Sequence, residues 1–446
     1  MSGGWAAGRL RRVSKVSLRT HALVAGLLAA LSVLAYLPVL NLIFLADDWA
    51  VIRLVTARPG TATDWSLVLS DLYTPLFDRS PKYRPFYSLS FATDYSLYGT
   101  WPTGYRITNL ALHAASSFLV YLLALELVTG EGRRGIATTA GALFAVYPVH
   151  LESVTWIAGR VHLICAVFFF STLILYLRWL RAGGALLYAL ALGAFALALL
   201  SKEMAVTVPG LLLLGAMYRG SGLRRAVASV VPFAVLLAGF LAFRAYLLSG
   251  LSPNATAGRG LEPLASLAGS VYRTLHMLAP LNFTVLPAGL RGLAEPALLV
   301  LAAGLVGLAA LVCHRRRDWG LPLLLAGLYA TSLVPVVKSL RPDPTLIHSR
   351  WSYIPSAFVA ILIAYVLWRA LAGRSRLQVA ASVAVCLVFL AVITANHGPW
   401  LRAGELTERY LERGEKPELP VQYKGAHVFT SEITWISANG PPFEER

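Results

Sequence analysis

The chain has 446 residues, 57% of them hydrophobic and 14% charged, with a formal net charge of +17. A soluble domain of this length would carry roughly 25% charged residues, so the composition excludes an ordinary soluble enzyme. It also removes any need for a nucleic-acid partner: the basic excess is gathered in short breaks between long apolar runs, where it holds loops on the cytoplasmic side of a membrane.

Residues 1–20 form a basic N-terminal segment with Arg9, Arg11, Arg12, Lys15 and Arg19. The apolar run at about 21–45 is too long for the core of a signal peptide and has no small-residue cleavage site after it, so it reads as a retained first span. Ten further spans are predicted at about 106–128, 136–150, 161–180, 185–201, 204–218, 226–248, 296–313, 319–337, 351–371 and 377–395. Several fall short of the roughly 20 residues of a straight crossing, so their ends are expected to extend into the adjoining loops. The fold class is an all-α membrane protein, a bundle of about 11 transmembrane helices over residues 21–395. Arginines recur in alternate connections, at 133–134, 178–181, 219–225, 315–317 and 369–376, which places those connections and the N-terminus in the cytoplasm.

The remaining connections then face outward. The first, 46–105, is rich in Trp, Tyr and Pro and is expected to form amphipathic helices at the membrane surface. The segment 251–295 is placed outside by parity, with 263–287 re-entrant or interfacial. The tail, 396–446, is also external, polar and without a helical repeat, and 421–437 alternates enough for a short strand or two. Cys165, Cys313 and Cys386 fit neither a zinc site nor a disulfide framework and read as small core residues.

Acids and bases collect at the outward ends of the spans. They are Asp47 and Asp48, then Arg84, Asp94, Asn109 and His113, then His150, Glu152, Arg160 and His162, then Lys202 and Glu203. Arg273 and His276 follow in the re-entrant segment, and Lys338, Arg341, Asp343, His348, Arg350 and Tyr353 in the last large outer loop. A charged group at membrane depth costs roughly 2.5–3.5 kcal/mol even on the lenient scale, so such groups usually face a cavity or one another. Groups from five separate connections point to one shared, water-accessible cavity. Each has a blander reading. Asp47-Asp48 can simply end a helix, and Lys202-Glu203 can be a local ion pair. Glu152 and Arg160 can pair if 150–162 is one helix, and His113 can be a satisfied interhelical hydrogen-bonder. His150 and His162 lack the spacing of zinc ligands.

Six stretches together resemble one family. They are Asp47-Asp48, YRPFYSLSFATDYSLYGTWPTGYRITNLALH (83–113), FAVYPVHLESVTWIAGR (144–160), LLSKEMAVTVP (199–209), SRWSYIPS (349–356) and NHGPW (396–400). They are similar, in order, to the membrane part of the transmembrane and tetratricopeptide-repeat O-mannosyltransferases and their bacterial relatives, GT-C class glycosyltransferases that use polyprenyl-phosphate sugars. The resemblance implies a GT-C-like bundle with a paired-acid motif in a large first outer loop. It implies transfer of a sugar, mannose in the named family, from a polyprenyl- or dolichyl-phosphate carrier to a hydroxyl of a protein, glycan or lipid acceptor outside the cytoplasm. Asp47 or Asp48 would be the base. The chain departs from the pattern in three places. Residues 401–446 stand where the repeats would follow, His162 stands where relatives often have an acid, and Ser349 where Glu often precedes the Arg-aromatic pair.

The implied chemistry needs positive charge on the departing phosphate and a base for the acceptor. Arg84, Arg160, Lys202, Arg273, Arg341 and Arg350 are available for phosphate, Arg being favoured for a bidentate grip. Asp94, Asn109, His113, His150, Glu152, Glu203 and His348 complete the candidate binding set. Paired acids such as Asp47 and Asp48 can hold a divalent cation, Mg or Mn, beside phosphate, although the sequence does not require one. Two competing functions are a lipid or sugar flippase, whose polar sites would sit nearer mid-membrane, and a non-catalytic assembly protein that keeps the fold. An Ala-, Leu- and Arg-rich composition fits a bacterial inner membrane.

Overall fold

The computed structural model describes residues 16–45, 48, 51–52, 55–56, 62–72, 83–248, 271–272, 274, 288–339 and 348–413. Among them secondary structure is helical, apart from one isolated bridge between Thr56 and Thr63. In chain order the helices are α1 Leu18–Tyr36, α2 Trp65–Ser70, α3 Pro85–Tyr98, α4 Pro102–Leu127, α5 Arg133–Ala145, α6 Leu151–Thr155, α7 Arg160–Ala182 and α8 Ala185–Leu199. They continue as α9 Val208–Tyr218, α10 Leu223–Leu248, α11 Ala288–Arg316, α12 Gly320–Leu333, α13 Ser356–Ala370, α14 Ser375–Asn396 and α15 Gly398–Arg413. Each of the eleven predicted spans falls on a helix. Six helical stretches are long and apolar enough to cross a membrane: Leu18–Val39, Pro102–Leu127, Ile157–Ala182, Leu223–Leu248, Gly320–Val337 and Ser375–Arg409. Three shorter apolar ones are Ala185–Leu199, Glu203–Tyr218 and Ser356–Ala370. The protein is therefore a multi-pass membrane protein.

Local chemistry sets the helix ends. The Ser17 hydroxyl accepts the Thr20 N–H at 3.1 Å and caps α1. Pro102 opens α4 and Pro85 opens α3 at the first-turn position where the missing N–H does no harm. Between α7 and α8 the chain turns at Gly183 and Gly184, at φ 71° and 92°, a backbone that a side chain would strain.

Two apolar cores result. The larger joins α1, α4, α5, α7, α8, α9, α12 and α13 along their lengths. The smaller lies over one end of the bundle, where Phe44, Ile52, Val55, Val68, Tyr87, Phe91 and Tyr105 pack on Trp156, Ile157 and Val161. Burying each such side chain contributes roughly 1.5–3 kcal/mol. This second core docks the first loop onto the 148–160 connection. At the opposite end, Glu126 of α4 is gripped by Arg178 and Arg181 of α7, at 3.0 and 2.8 Å, and by Arg219 at 3.5 Å.

The structure corrects several expectations. The first span ends nine residues early, at Tyr36. Pro38 disfavours helix at the residue before it, and a 3-10 turn, Leu37–Val39, hands over to non-helical chain at 42–45. The span predicted from 296 begins at Ala288. The tail does contain a helix: α15 buries Ala403, Leu406 and Thr407, with Ala403 in a small cluster with Leu45, Leu42, Ile43 and Trp400. A polar composition had hidden that apolar stripe. The 150–162 stretch is not one helix but a 3-10 turn, α6, a second 3-10 turn and then α7. The re-entrant reading of 263–287 and the strands at 421–437 lie outside the described residues, apart from helical residues at 271, 272 and 274.

Candidate active site

The non-helical chain after α1 leaves the carbonyls of Leu42 and Ile43 without intrahelical partners. Arg106, in the second turn of α4, supplies them. Its guanidinium donates to the carbonyl oxygens of Leu42, of Ile43 at 2.6 Å and of Thr155 at 3.2 Å. One buried side chain thus ties the segment just before the acid pair to the 148–160 connection. Asp48 makes the same tie from the other side. Its Oδ2 accepts the Leu45 N–H at 2.9 Å and its Oδ1 the Ala158 N–H at 2.8 Å, and it is fully buried.

Asn109, one turn along α4 from Arg106, donates to the carbonyls of Val154 at 3.2 Å and Trp156 at 3.3 Å. Its Oδ1 accepts from Arg160 Nε at 2.9 Å. Arg160 also donates to the Tyr105 carbonyl at 2.9 Å, lies 2.5 Å from Asp94 Oδ2 and sits 4.5 Å over the Phe91 ring. Asp94 Oδ1 takes the Thr108 hydroxyl at 2.9 Å. Burial pushes the Asp94 carboxyl upward, and Arg160 and Thr108 offset part of that. Asp48, Asp94, Asn109 and Arg160 therefore act as struts. Arg160, fully buried and engaged on all sides, has no free face for a phosphate, and its acid is Asp94 rather than Glu152.

Glu152 turns instead to the last outer connection, where Oε2 accepts the Arg350 N–H at 3.0 Å and Oε1 pairs with the Arg350 guanidinium. Arg350 lies 5.2 Å over Trp156 and 5.5 Å over Trp351, and His348 stacks on Trp351 at 4.5 Å. His348 holds a left-handed backbone, φ 65°, which fixes the turn into the following 3-10 segment, Ser349–Ser352.

Lys202-Glu203 does not form the expected local pair. Glu203 is taken by Arg84, at 2.6 Å, and by Arg244 of α10, at 3.3 Å. Lys202, buried, is left with its neighbouring acids committed elsewhere, and among the described residues it forms no ion pair. Burial, followed by the charges of Arg84 and Arg350, holds its ammonium well below the usual lysine range. The same three cations act on His162, whose buried Nδ1 has no hydrogen-bond partner. Arg84, Lys202 and Arg350 thus form a cation cluster built from three distant parts of the sequence. Lys202, in the short break between α8 and α9, joins it without an ion pair among the described residues, with Glu203 acting on it in the opposite sense to the two arginines.

His113 and His150 sit deeper. His113 bonds the Tyr353 hydroxyl at 2.8 Å and the Ala145 carbonyl at 3.0 Å, using both ring nitrogens. His150 Nε2 meets Ser356 Oγ at 2.7 Å. Asp47, Arg273 and Arg341 lie outside the described residues. Sequence reasoning missed Arg106 and Arg244 as site residues. The signal was available, since Arg106 is the single arginine of α4 and Arg244 stands in the apolar part of α10, far from Arg224 and Arg225 at its start, so each must find a partner at that depth.

The paired-acid metal site is not supported by the described half of the pair. Each Asp48 oxygen accepts one backbone N–H, from Leu45 and from Ala158. Among the described residues no three His, Cys, Asp or Glu side chains group as metal ligands.

These features define a polytopic helical membrane protein with a buried lysine, Lys202, near two half-buried arginines at one end, beside a loop clamped to the bundle. No protein-family model matches the chain. Over 206 residues, 45% of this chain, it is 36% identical to the protein O-mannosyl-transferase Tmtc1 of Drosophila melanogaster. It is 30% identical over 206 residues to human TMTC3, again 45% of this chain, and 36% identical over 149 residues, 29% of this chain, to human TMTC4. The matches span only 23%, 22% and 20% of those relatives, less than a quarter of their length. An oligosaccharyltransferase of Archaeoglobus fulgidus, crystallised with Zn and sulfate, aligns over 91% of this chain and 57% of its own at a TM-score of 0.48 and 17% identity. The resemblance carried by the six motifs is thus met by relatives of the same kind: the matched part of this chain is similar to TMTC O-mannosyltransferases.

Proposed function

We propose that the protein is an integral-membrane glycosyltransferase that moves a sugar, mannose by analogy with its relatives, from a polyprenyl- or dolichyl-phosphate carrier to a hydroxyl acceptor on the extracytoplasmic side. The observation that carries this reading is Lys202: a buried amine that forms no ion pair among the described residues, with Arg84 and Arg350 as well as Glu203 within electrostatic reach. Such a group is unfavourable alone and is satisfied by an anion. A carrier phosphate fits, because charge gathers on it as the sugar leaves, and fixed cations in a water-poor site stabilise that charge. Trp156, Trp351 and Arg350 would face the donor headgroup.

In the reaction the acceptor oxygen attacks the anomeric carbon and gives its proton to a carboxylate, and the bond from that carbon to the phosphate oxygen breaks. The polyprenyl phosphate departs as a stable anion, and the anomeric centre inverts. Of the two acids we assign the base to Asp47, because Asp48 spends both oxygens on backbone N–H groups. Arg106, Asn109 and Arg160 position the loop that carries the pair. No step is routed through a metal. The Arg-rich helix ends around Glu126 support a cytoplasmic position for that end by the positive-inside rule, and so an extracytoplasmic one for the Lys202 end.

Incubating the purified protein with polyprenyl-phosphate mannose and an acceptor is expected to release polyprenyl phosphate and mannosylate the acceptor. Movement of the lipid across a vesicle without cleavage would instead identify a flippase, and neither outcome would leave a scaffold.

A further inference from the structure

The opposite end of the bundle carries a second feature that sugar transfer does not use. A cavity of about 240 Å³ opens where α9, α12 and α13 end or begin, lined by Tyr218, Arg317, Asp318, Trp319, Tyr365 and Arg369 among others. Its one described acid is occupied, since Asp318 Oδ2 accepts from the Tyr365 hydroxyl. Arg369 spends one donor on the Thr129 carbonyl at 3.3 Å and lies 5.2 Å over the Tyr365 ring, and its side chain lines the cavity. Arg317 is exposed and forms no ion pair among the described residues. It adopts φ 49° just past the end of α11, a position where glycine is the usual residue. The chain thus holds a charge at the cavity mouth against backbone strain, a combination that gathers at functional sites. Tyr218 links the cavity to the Glu126 cluster next door: its hydroxyl donates to the Leu127 carbonyl, and the following residue, Arg219, bonds the Glu126 carbonyl at 2.5 Å.

We propose that this cavity binds the anionic phosphate headgroup of a membrane lipid. The cavity is smaller than the roughly 300–1,000 Å³ of a pocket that engulfs a whole small molecule. It suits a headgroup whose chains stay in the bilayer. Trp319 lines it and is exposed, and the helices that meet there, α11 and α12, carry exposed Leu308, Leu311 and Leu323, an apolar surface for those chains with an aromatic at headgroup depth. Basic pockets between helices on the positively charged side of a membrane protein recognise such headgroups. The inference rests on the membrane placement of the bundle and not on sugar transfer.

The test is native mass spectrometry of the full chain in detergent, titrated with phosphatidylglycerol, phosphatidylcholine or inorganic phosphate. Wild type is expected to retain phosphatidylglycerol preferentially, and phosphate at matched concentration is expected not to displace it. Each arginine should contribute about fivefold, so Arg317→Gln with Arg369→Gln should weaken phosphatidylglycerol about thirtyfold. The corresponding double Lys variant should stay within about fivefold of wild type. Unchanged retention in the Gln pair, equal retention of phosphatidylcholine, or displacement by matched inorganic phosphate would each overturn the proposal. If the Gln pair does not fold, the Lys pair and the lipid competition on wild type decide it.

Discussion

Lys202→Met separates a ligand-binding cation from a structural one. Methionine keeps the length and removes the charge. In the free protein the ammonium is buried, with Arg84 and Arg350 within electrostatic reach and no ion-pair partner among the described residues. Removing it should therefore stabilise the fold, by about 1 kcal/mol or more. A hydrogen bond from this ammonium to a charged phosphate is worth roughly 1.5–3 kcal/mol, so the same change should weaken polyprenyl phosphate by about 10- to 150-fold. The pH dependence has matching opposite signs. A lysine whose folded pKa lies below its unfolded value favours the neutral form on folding, so stability rises as pH climbs from that lowered value toward the ordinary 10.4. Over the same window anion affinity falls, because only the protonated amine grips phosphate. Thermal unfolding of the detergent-solubilised protein and equilibrium binding of polyprenyl phosphate, each as a function of pH, measure both arms. A variant that binds polyprenyl phosphate as wild type does, or whose melting temperature drops by several degrees, would refute the reasoning.

The other perturbations follow the same geometry. Asp47→Asn should abolish transfer with the melting temperature unchanged, whereas Asp48→Asn should lower stability by roughly 1.5–3 kcal/mol through its contacts with the Leu45 and Ala158 N–H groups; full transfer activity in both variants would remove the base from this pair. Arg160→Ala strands Asp94 and should destabilise by about 3–5 kcal/mol, read as a fall in melting temperature that Asp94→Asn partly restores. Gly159→Ala would bring a Cβ to 2.8 Å from the Glu152 carbonyl oxygen and 2.9 Å from that of Ser153. Backbone cannot yield there as a side-chain tip can, so a loss of about 1–3 kcal/mol in stability is expected, together with reduced transfer, because the same turn carries Glu152 to Arg350.

The eleven helices were legible because an apolar run of span length has few alternatives in a membrane: every backbone group must be satisfied within the segment. Where prediction slipped, the cause was local. Pro38 cut the first span short, and α15 escaped notice because its apolar stripe is short and set among charges. The six motifs named the right kind of relatives, since they lie along the seam that the first loop makes with the bundle.

Partner choice was not legible. Sequence proximity paired Glu152 with Arg160 and Lys202 with Glu203. In the fold Glu152 reaches Arg350, Arg160 reaches Asp94, and Glu203 reaches Arg84 and Arg244. A charge at membrane depth takes whichever opposite charge the packing brings within reach, and packing joins residues that the chain keeps nearly 200 positions apart. The same uncertainty had put every outer acid and base into one candidate set. Tertiary structure divides that set by occupancy, into Asp48, Asp94, Asn109 and Arg160 as struts and Lys202, which forms no ion pair among the described residues. Sequence alone determined that charged groups would gather at the outer ends of the spans, because each one is costly in lipid. Only the fold decided which of them neutralise one another, because packing sets which opposite charges come within reach.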